Sequence, residues 1–219
     1  APAGSTVVTP ATTILEAQPD IEPAQLAVAL GIPTTAADGS AIDIMSFNPY
    51  AAGADPAAAL AAEKAAQQVM VTIKAVSAAA EGAGMEVEDA FEQAMASVAE
   101  VVSAEAEKID VSSATAIAAA EATMATTKVD FSDSSVLEAV TTAVQTKVVA
   151  AAAADETILV DTAAFAATLD TAVTAVVNVN AAIEAITDTD LTSTESMGTF
   201  ATLTDMATEI KAAAEAEVI

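Results

Sequence analysis

An all-α fold follows from three observations: alanine dominates a chain that is 54% hydrophobic, aromatics are only 3%, and aliphatic residues recur at three- and four-residue steps. Burial must therefore come from many small contacts among Ala, Val, Ile, Leu and Met, which suits closely spaced helices better than a thick sheet sandwich. The expected architecture is a bundle of about five long Ala-rich helices. A short two-helix N-terminal region and a short extended N-terminal segment precede it. The division expected is residues 1–54 (extended segment, two short helices, irregular loop) and 55–219 (helical bundle), continuous as one domain.

Ser5-Thr6-Val7-Val8 is the extended segment, β-prone and too short to make a sheet alone. It is the candidate assembly strand, able to add to a neighbouring subunit or β domain through backbone hydrogen bonds. Thr9-Pro10 reads as N-cap and first helical residue of a short helix through about Gln18. A second short helix, about Glu22 to Leu30, stops at Gly31 with Pro33 beyond. Residues 34–54 form the longest irregular stretch.

Long helices begin at Asp55-Pro56. Leu60, Ala66, Val69, Ile73, Val76 and Ala80 make the first stripe, with Glu63, Lys64 and Lys74 mostly off it, and Gly82 and Gly84 end the run. Val87, Phe91, Met95, Val98 and Val102 make the second, with Glu86, Glu88 and Asp89 where the helix dipole favours acids. Ser112 or Ser113 caps a shorter Ala-rich helix to about Thr127. Another helix starts near Ser134 with Leu137, Val140, Val144, Val148 and Ala151. Asp161 caps the next, striped by Phe165, Leu169, Val173, Val176, Ile183 and Ile186. The last runs from about Ser193 with Met197, Phe200, Leu203, Met206 and Ile210. Asn180 falls near an apolar stripe, where its amide can bond across helices and fix their register.

The chemistry available is narrow. Six lysines, no arginine, no histidine and no cysteine oppose 32 acids, for a formal charge of -26. A thiol nucleophile, a Ser-His dyad, a His-rich metal site and an arginine clamp all need side chains this chain lacks, so it is read as no enzyme. Paired carboxylates for glycoside chemistry would need aromatic platforms that one Tyr and no Trp do not supply. The charge repels nucleic acid and anionic membrane surfaces and makes cations the natural small partners. No run of about 18 uninterrupted apolar residues occurs, so no membrane span is expected.

Calcium is the one cofactor that the inventory accommodates, through carboxylate and carbonyl oxygens. Three spots carry suitable residues: Asp188 and Asp190 with Glu195, Asp38 with Asp43, and Asp130 with Asp133. The first opens like a calcium loop but lacks its sixth-position glycine, and Thr199 stands at its twelfth. Helix caps and turns use the same aspartates.

Val7-Val8-Thr9-Pro10-Ala11-Thr12-Thr13, Ala29-Leu30-Gly31-Ile32-Pro33, Ile42-Asp43-Ile44-Met45-Ser46-Phe47-Asn48-Pro49 and Gln67-Gln68-Val69 follow one another in order. Together they resemble an Ala-rich helical module of large secreted bacterial surface and adhesin proteins, of the kind that often carry RTX-type or cadherin-like calcium-binding repeats. The similarity covers residues 5–85 best, and Val176 to Ile183 resembles it too. It implies an acidic, all-helical, extracellular building block and transfers no catalytic residue. The glycine-rich calcium repeats are absent, so calcium binding does not follow from the resemblance. The start Ala1-Pro2-Ala3-Gly4 fits a position after a removed leader.

The resulting expectation is an extracellular or cell-surface structural or adhesive subunit that self-associates as a homo-oligomer or with neighbouring domains of a surface protein. Two alternatives stand beside it: a monomeric calcium- or ligand-binding module of a large adhesin, and a halophilic soluble protein whose acidity is environmental only.

Overall fold

The structure, a computed structural model, describes residues 1–154 and 161–191. Among them the fold is all-helical: α1 (Pro10–Ala17), α2 (Pro23–Ala29), α3 (Pro56–Gly82), α4 (Val87–Ala106), α5 (Ala114–Thr127), α6 (Ser134–Ala154) and α7 (Thr162–Glu184). The only β pairing in the described residues is an isolated bridge between Thr35 and Ala41. Glu195, the expected helix from Ser193 and its stripe from Met197 to Ile210 lie outside the described residues.

Local chemistry explains the helix ends. At α1 the Thr9 side chain accepts from the Thr12 backbone at 3.2 Å while Thr12 Oγ1 accepts from the Thr9 N–H at 2.9 Å, with Pro10 at the first position. After α2, Ile32 N donates to the Ala27 carbonyl and Gly31 N to that of Val28. That pair is a Schellman closure, and it places Gly31 at φ +76, a left-handed value that suits glycine. The same closure ends α3, where Met85 N reaches Ala80 O, Gly84 N reaches Glu81 O, and Gly84 has φ +103. Aspartates open the later helices: Asp55 Oδ1 accepts from Ala58, Asp133 Oδ1 from Ser135 and Asp161 Oδ1 from Ala163.

Two compact units are present. The first contains Ala1–Gln67, Val102–Val129 and residues 186–191; the second contains Gln68–Val101 and Asp130–Ala185. The division runs through α3 and α4, so each of these helices supplies residues to both.

In the first unit α1, α2 and α5 pack around Ile14, Leu15, Leu26, Val28 and Ile32. Long-range bonds hold this packing. Val129 N donates to the Ala29 carbonyl at 2.8 Å, and Gln25 Nε2 donates to the Ile109 carbonyl at 3.0 Å. Glu121 on α5 accepts from both the backbone N–H and the hydroxyl of Thr34.

In the second unit α6 and α7 pack against each other. Leu137, Val140, Val144 and Val148 of α6 are buried, as are Phe165, Leu169, Val176 and Ile183 of α7, following the stripes expected for both. Ala75, Ala78, Ala79 and Ala80 of α3 are also buried, and such small side chains allow helix axes to approach toward the short end of the usual roughly 8–10 Å range.

Three expectations need correction. Glu63, read as lying off the α3 stripe, is only 8% exposed, and the amide of Gln67 one turn along satisfies its carboxylate at 2.8 Å. Val87 and Phe91, read as core positions of α4, are 62% and 40% exposed. Ala90 and Ala94 are buried, because a tight contact selects the smaller side chain. Finally, Ser5 to Val8 is not a strand but a bent segment. Its Ser5 hydroxyl donates to the Val7 carbonyl at 2.6 Å, a local bond that competes with extended pairing.

α6 and Phe165–Glu184 are both long and apolar enough by length and composition to cross a membrane, each with mean hydropathy 1.3 over its best window. The expectation of no span rested on uninterrupted apolar runs, whereas these windows tolerate one or two charges. Much of their hydropathy comes from alanine and valine alternating with threonine, and α7 turns Thr168 and Asn180 into its buried face.

Candidate functional site

The aspartates proposed as metal ligands sit in turns and caps. Asp38 Oδ1 accepts from the N–H and hydroxyl of Ser40 at 2.9 and 2.6 Å, and Asp130 Oδ1 accepts from both groups of Ser132 at 2.8 and 2.5 Å. Asp133 does the same with Ser135 at the start of α6. Asp43 Oδ1 takes the Met45 N–H, and Asp188 Oδ1 takes the Asp190 N–H. Among the described residues no three acidic side chains come together in an arrangement that could hold a metal ion.

These bonds tune the carboxylates. The Ser40 hydroxyl and then its backbone N–H hold Asp38 below the usual carboxylate range, and Ser112 acts in the same order on Asp110. Backbone donors come first for the other two: Ala37 then Ala58 lower Asp55, and the Ser135 N–H then its hydroxyl lower Asp133. Each effect is a hydrogen bond to the charged form, which favours ionisation.

The candidate assembly segment is tied to its own unit. Thr6 N donates to the Met45 carbonyl at 2.9 Å, the Ser5 hydroxyl reaches the same carbonyl at 3.0 Å, and the Thr12 hydroxyl lies 3.4 Å from the Val7 carbonyl. Val8 projects, 83% exposed, and Thr6 is exposed as well.

Two polar clusters stand out, one around buried Glu63 and one around buried Asn180. In the first unit the Glu63 carboxylate accepts from Gln67 Nε2 at 2.8 Å, and the Tyr50 phenol lies near enough to feel its charge. Partial burial, then the Glu63 hydrogen bond and charge, push Tyr50 up to about 12. Sequence periodicity missed this pairing; the available signal was the chain's single tyrosine, placed just after Asn48-Pro49.

In the second unit Asn180 is fully buried on α7. Its Nδ2 donates to the Phe131 carbonyl at 3.0 Å and to Thr72 Oγ1 at 3.3 Å, while its backbone carbonyl accepts from Gln68 Nε2 at 3.3 Å. Thr72 in turn donates to the Gln68 carbonyl at 2.8 Å. Two helices and the turn before α6 are thereby held in one register, the role that the spacing of Asn180 predicts. Asn180 Oδ1 has no hydrogen-bond partner, the one such buried side-chain atom in the described residues.

Each unit also presents an exposed helix face. α5 is apolar in composition yet has no buried residue, and Ala114, Ala118, Ala122 and Ala125 recur along an exposed face. On α6, exposed Ala139, Thr142, Thr146, Val149 and Ala153 form a similar stripe without a charge. Compared with known protein families, curated proteins and solved structures, the chain matches none.

Proposed function

We propose that this protein is an extracellular structural or adhesive subunit that self-associates through its uncharged, alanine-rich helix faces. The observation that carries the reading is α5, an apolar helix that buries none of its residues within its own chain. The uncharged stripe of α6 supports it from the second unit.

Electrostatics selects those faces. Two copies each carrying -26 repel over most of their surfaces, so close approach is least costly where no carboxylate projects. Alanine and threonine permit helix axes to come close and lose little side-chain entropy on doing so. A stable interface buries roughly 1,200–2,000 Å² in total, and one stripe of short side chains on a helix about 20–30 Å long falls below that. More than one face must therefore engage, and two different faces used head to tail generate a ring or a filament.

Cations enter as screening partners. Raising ionic strength to about 1 M shortens the Debye length to roughly 3 Å, and calcium additionally bridges carboxylates at the rims of contacting faces. The N-terminal segment plays the smaller part, because Ser5 and Thr6 already bond within their own unit. The resemblance to helical modules of secreted surface proteins agrees with this placement at the cell exterior.

Light scattering and negative-stain microscopy at low salt, high salt, and with calcium or chelator test the proposal. Assemblies that grow with cation concentration are expected, and Ala118→Glu with Thr146→Glu should abolish them while leaving the circular dichroism unchanged. A strict monomer under every condition overturns it.

A further inference from the structure

Val87 and Phe91 begin α4 one turn apart, and they are 62% and 40% exposed. Residues four apart on a helix lie on one face with their Cβ atoms about 6 Å apart, so the two side chains form a single apolar patch. Later members of the same stripe, Val98 and Val102, are fully buried. The stripe thus runs out of its own core into solvent at its N-terminal end.

The surroundings of the patch are acidic. Glu86, Glu88 and Glu92 are exposed and Asp89 is half-buried, so four carboxylates lie within seven residues that contain no lysine. Glu88 and Glu92 form a second one-turn pair beside the first. An apolar centre with a rim of one sign of charge is the arrangement that discriminates among partners.

The charge decides the occupant. A second copy of this chain would bring 32 acidic residues and only six lysines, so on balance its surface repels the rim. Nucleic acid and anionic lipid carry the sign that is repelled. What complements the patch is a polypeptide segment with lysine or arginine on either side of one or two large apolar side chains. We infer that Val87 and Phe91, with Glu86, Glu88, Asp89 and Glu92, form a docking surface for a cationic amphipathic segment of a different protein. This surface is separate from the alanine faces used for self-association, and it goes beyond that reading.

Isothermal titration of the full chain with an amphipathic helical peptide of leucine and lysine, at physiological salt, tests the inference. Two control peptides accompany it, one with every lysine replaced by glutamate and one with every leucine replaced by serine. Binding is expected for the first peptide alone. Val87→Ser with Phe91→Ser should weaken it by about tenfold or more, the scale of losing a central apolar anchor. Both positions are exposed, and circular dichroism verifies the fold. Glu88→Gln with Glu92→Gln should also weaken binding and flatten its dependence on salt. Absence of binding, equal binding of the serine peptide, or unchanged affinity of the Val87/Phe91 variant would overturn the inference, the last two by reducing the effect to net charge.

Discussion

Replacing Asn180 by aspartate changes almost no volume and inverts the hydrogen-bond chemistry of the second unit's core. The amide nitrogen that donates to the Phe131 carbonyl at 3.0 Å becomes a carboxylate oxygen, so two acceptors face each other in a fully buried position. Thr72 offers no relief, since its hydroxyl proton is already directed at the Gln68 carbonyl. Both burial and the facing carbonyl favour the neutral acid, and buried carboxyls can rise by about 3 units or more. Three units at about 1.36 kcal/mol each give a loss of about 4 kcal/mol at pH 7.5, or roughly 8–16 °C in midpoint for a chain of this size. The sign of the pH dependence is specific. A raised folded-state value means that the penalty is absent below the unfolded value near 3.9, grows above it, and levels off once pH exceeds the folded value. The protonated acid can donate to Phe131, so the gap from the parent chain should shrink to about 1.5 kcal/mol at pH 5. Urea unfolding of both proteins, followed by circular dichroism at the two pH values, measures it. A gap that is the same at both pH values, or smaller than about 1 kcal/mol at pH 7.5, refutes the assignment of Asn180 as the register-setting donor.

Further outcomes are expected elsewhere. The single tyrosine makes Tyr50 readable by its ultraviolet tyrosinate band, and the folded chain should titrate near 12 against about 10 in urea. Stability should accordingly fall as pH rises between those values, and Glu63→Gln should lower the folded midpoint. Gly31→Ala forces a left-handed φ on a residue with a Cβ and sets that Cβ 2.8 Å from Lys128 Cδ, so a loss of about 1–2 kcal/mol should appear in thermal unfolding. Glu121→Ala strips two donors of Thr34 and should cost about 1–3 kcal/mol, with increased hydrogen exchange at the Thr34 amide. Asp38, Asp55, Asp110 and Asp133 all have lowered folded-state values, so their contribution is present above about pH 4 and is lost as pH falls through those values; Asp55→Asn should flatten the acid limb of a pH titration.

Helix positions were legible because their signals are local. Thr9-Pro10, Gly31 with Pro33, Asp55-Pro56, Ser113 and Asp161 mark ends through bonds made within a few residues, and each stands at or beside an observed boundary. The stripes of α6 and α7 were equally plain, since Leu137, Val140, Val144 and Phe165, Leu169, Val176 need only one covered face. Asn180 was recognisable as a core asparagine by its register. Its partners were not, because Thr72 and Phe131 lie 108 and 49 residues away. The acidic pairs looked like metal ligands from composition, yet Asp38, Asp43, Asp130, Asp133 and Asp188 each bond to a neighbour two residues on, a geometry that local sequence alone allows but does not distinguish from ligation.

Composition and periodicity determined that the chain is helical, acidic and without histidine, cysteine or arginine, because those properties depend on residue type and on contacts within a few positions. Which surfaces stay open was decided by tertiary packing. Burial depends on what another segment brings to a face: Glu63 lies inside, Ala90 and Ala94 enter the core while Phe91 stays outside, and none of the residues of α5 is buried. The candidate interaction surfaces are those uncovered faces, and a helical stripe reads the same in sequence whether or not a neighbour reaches it.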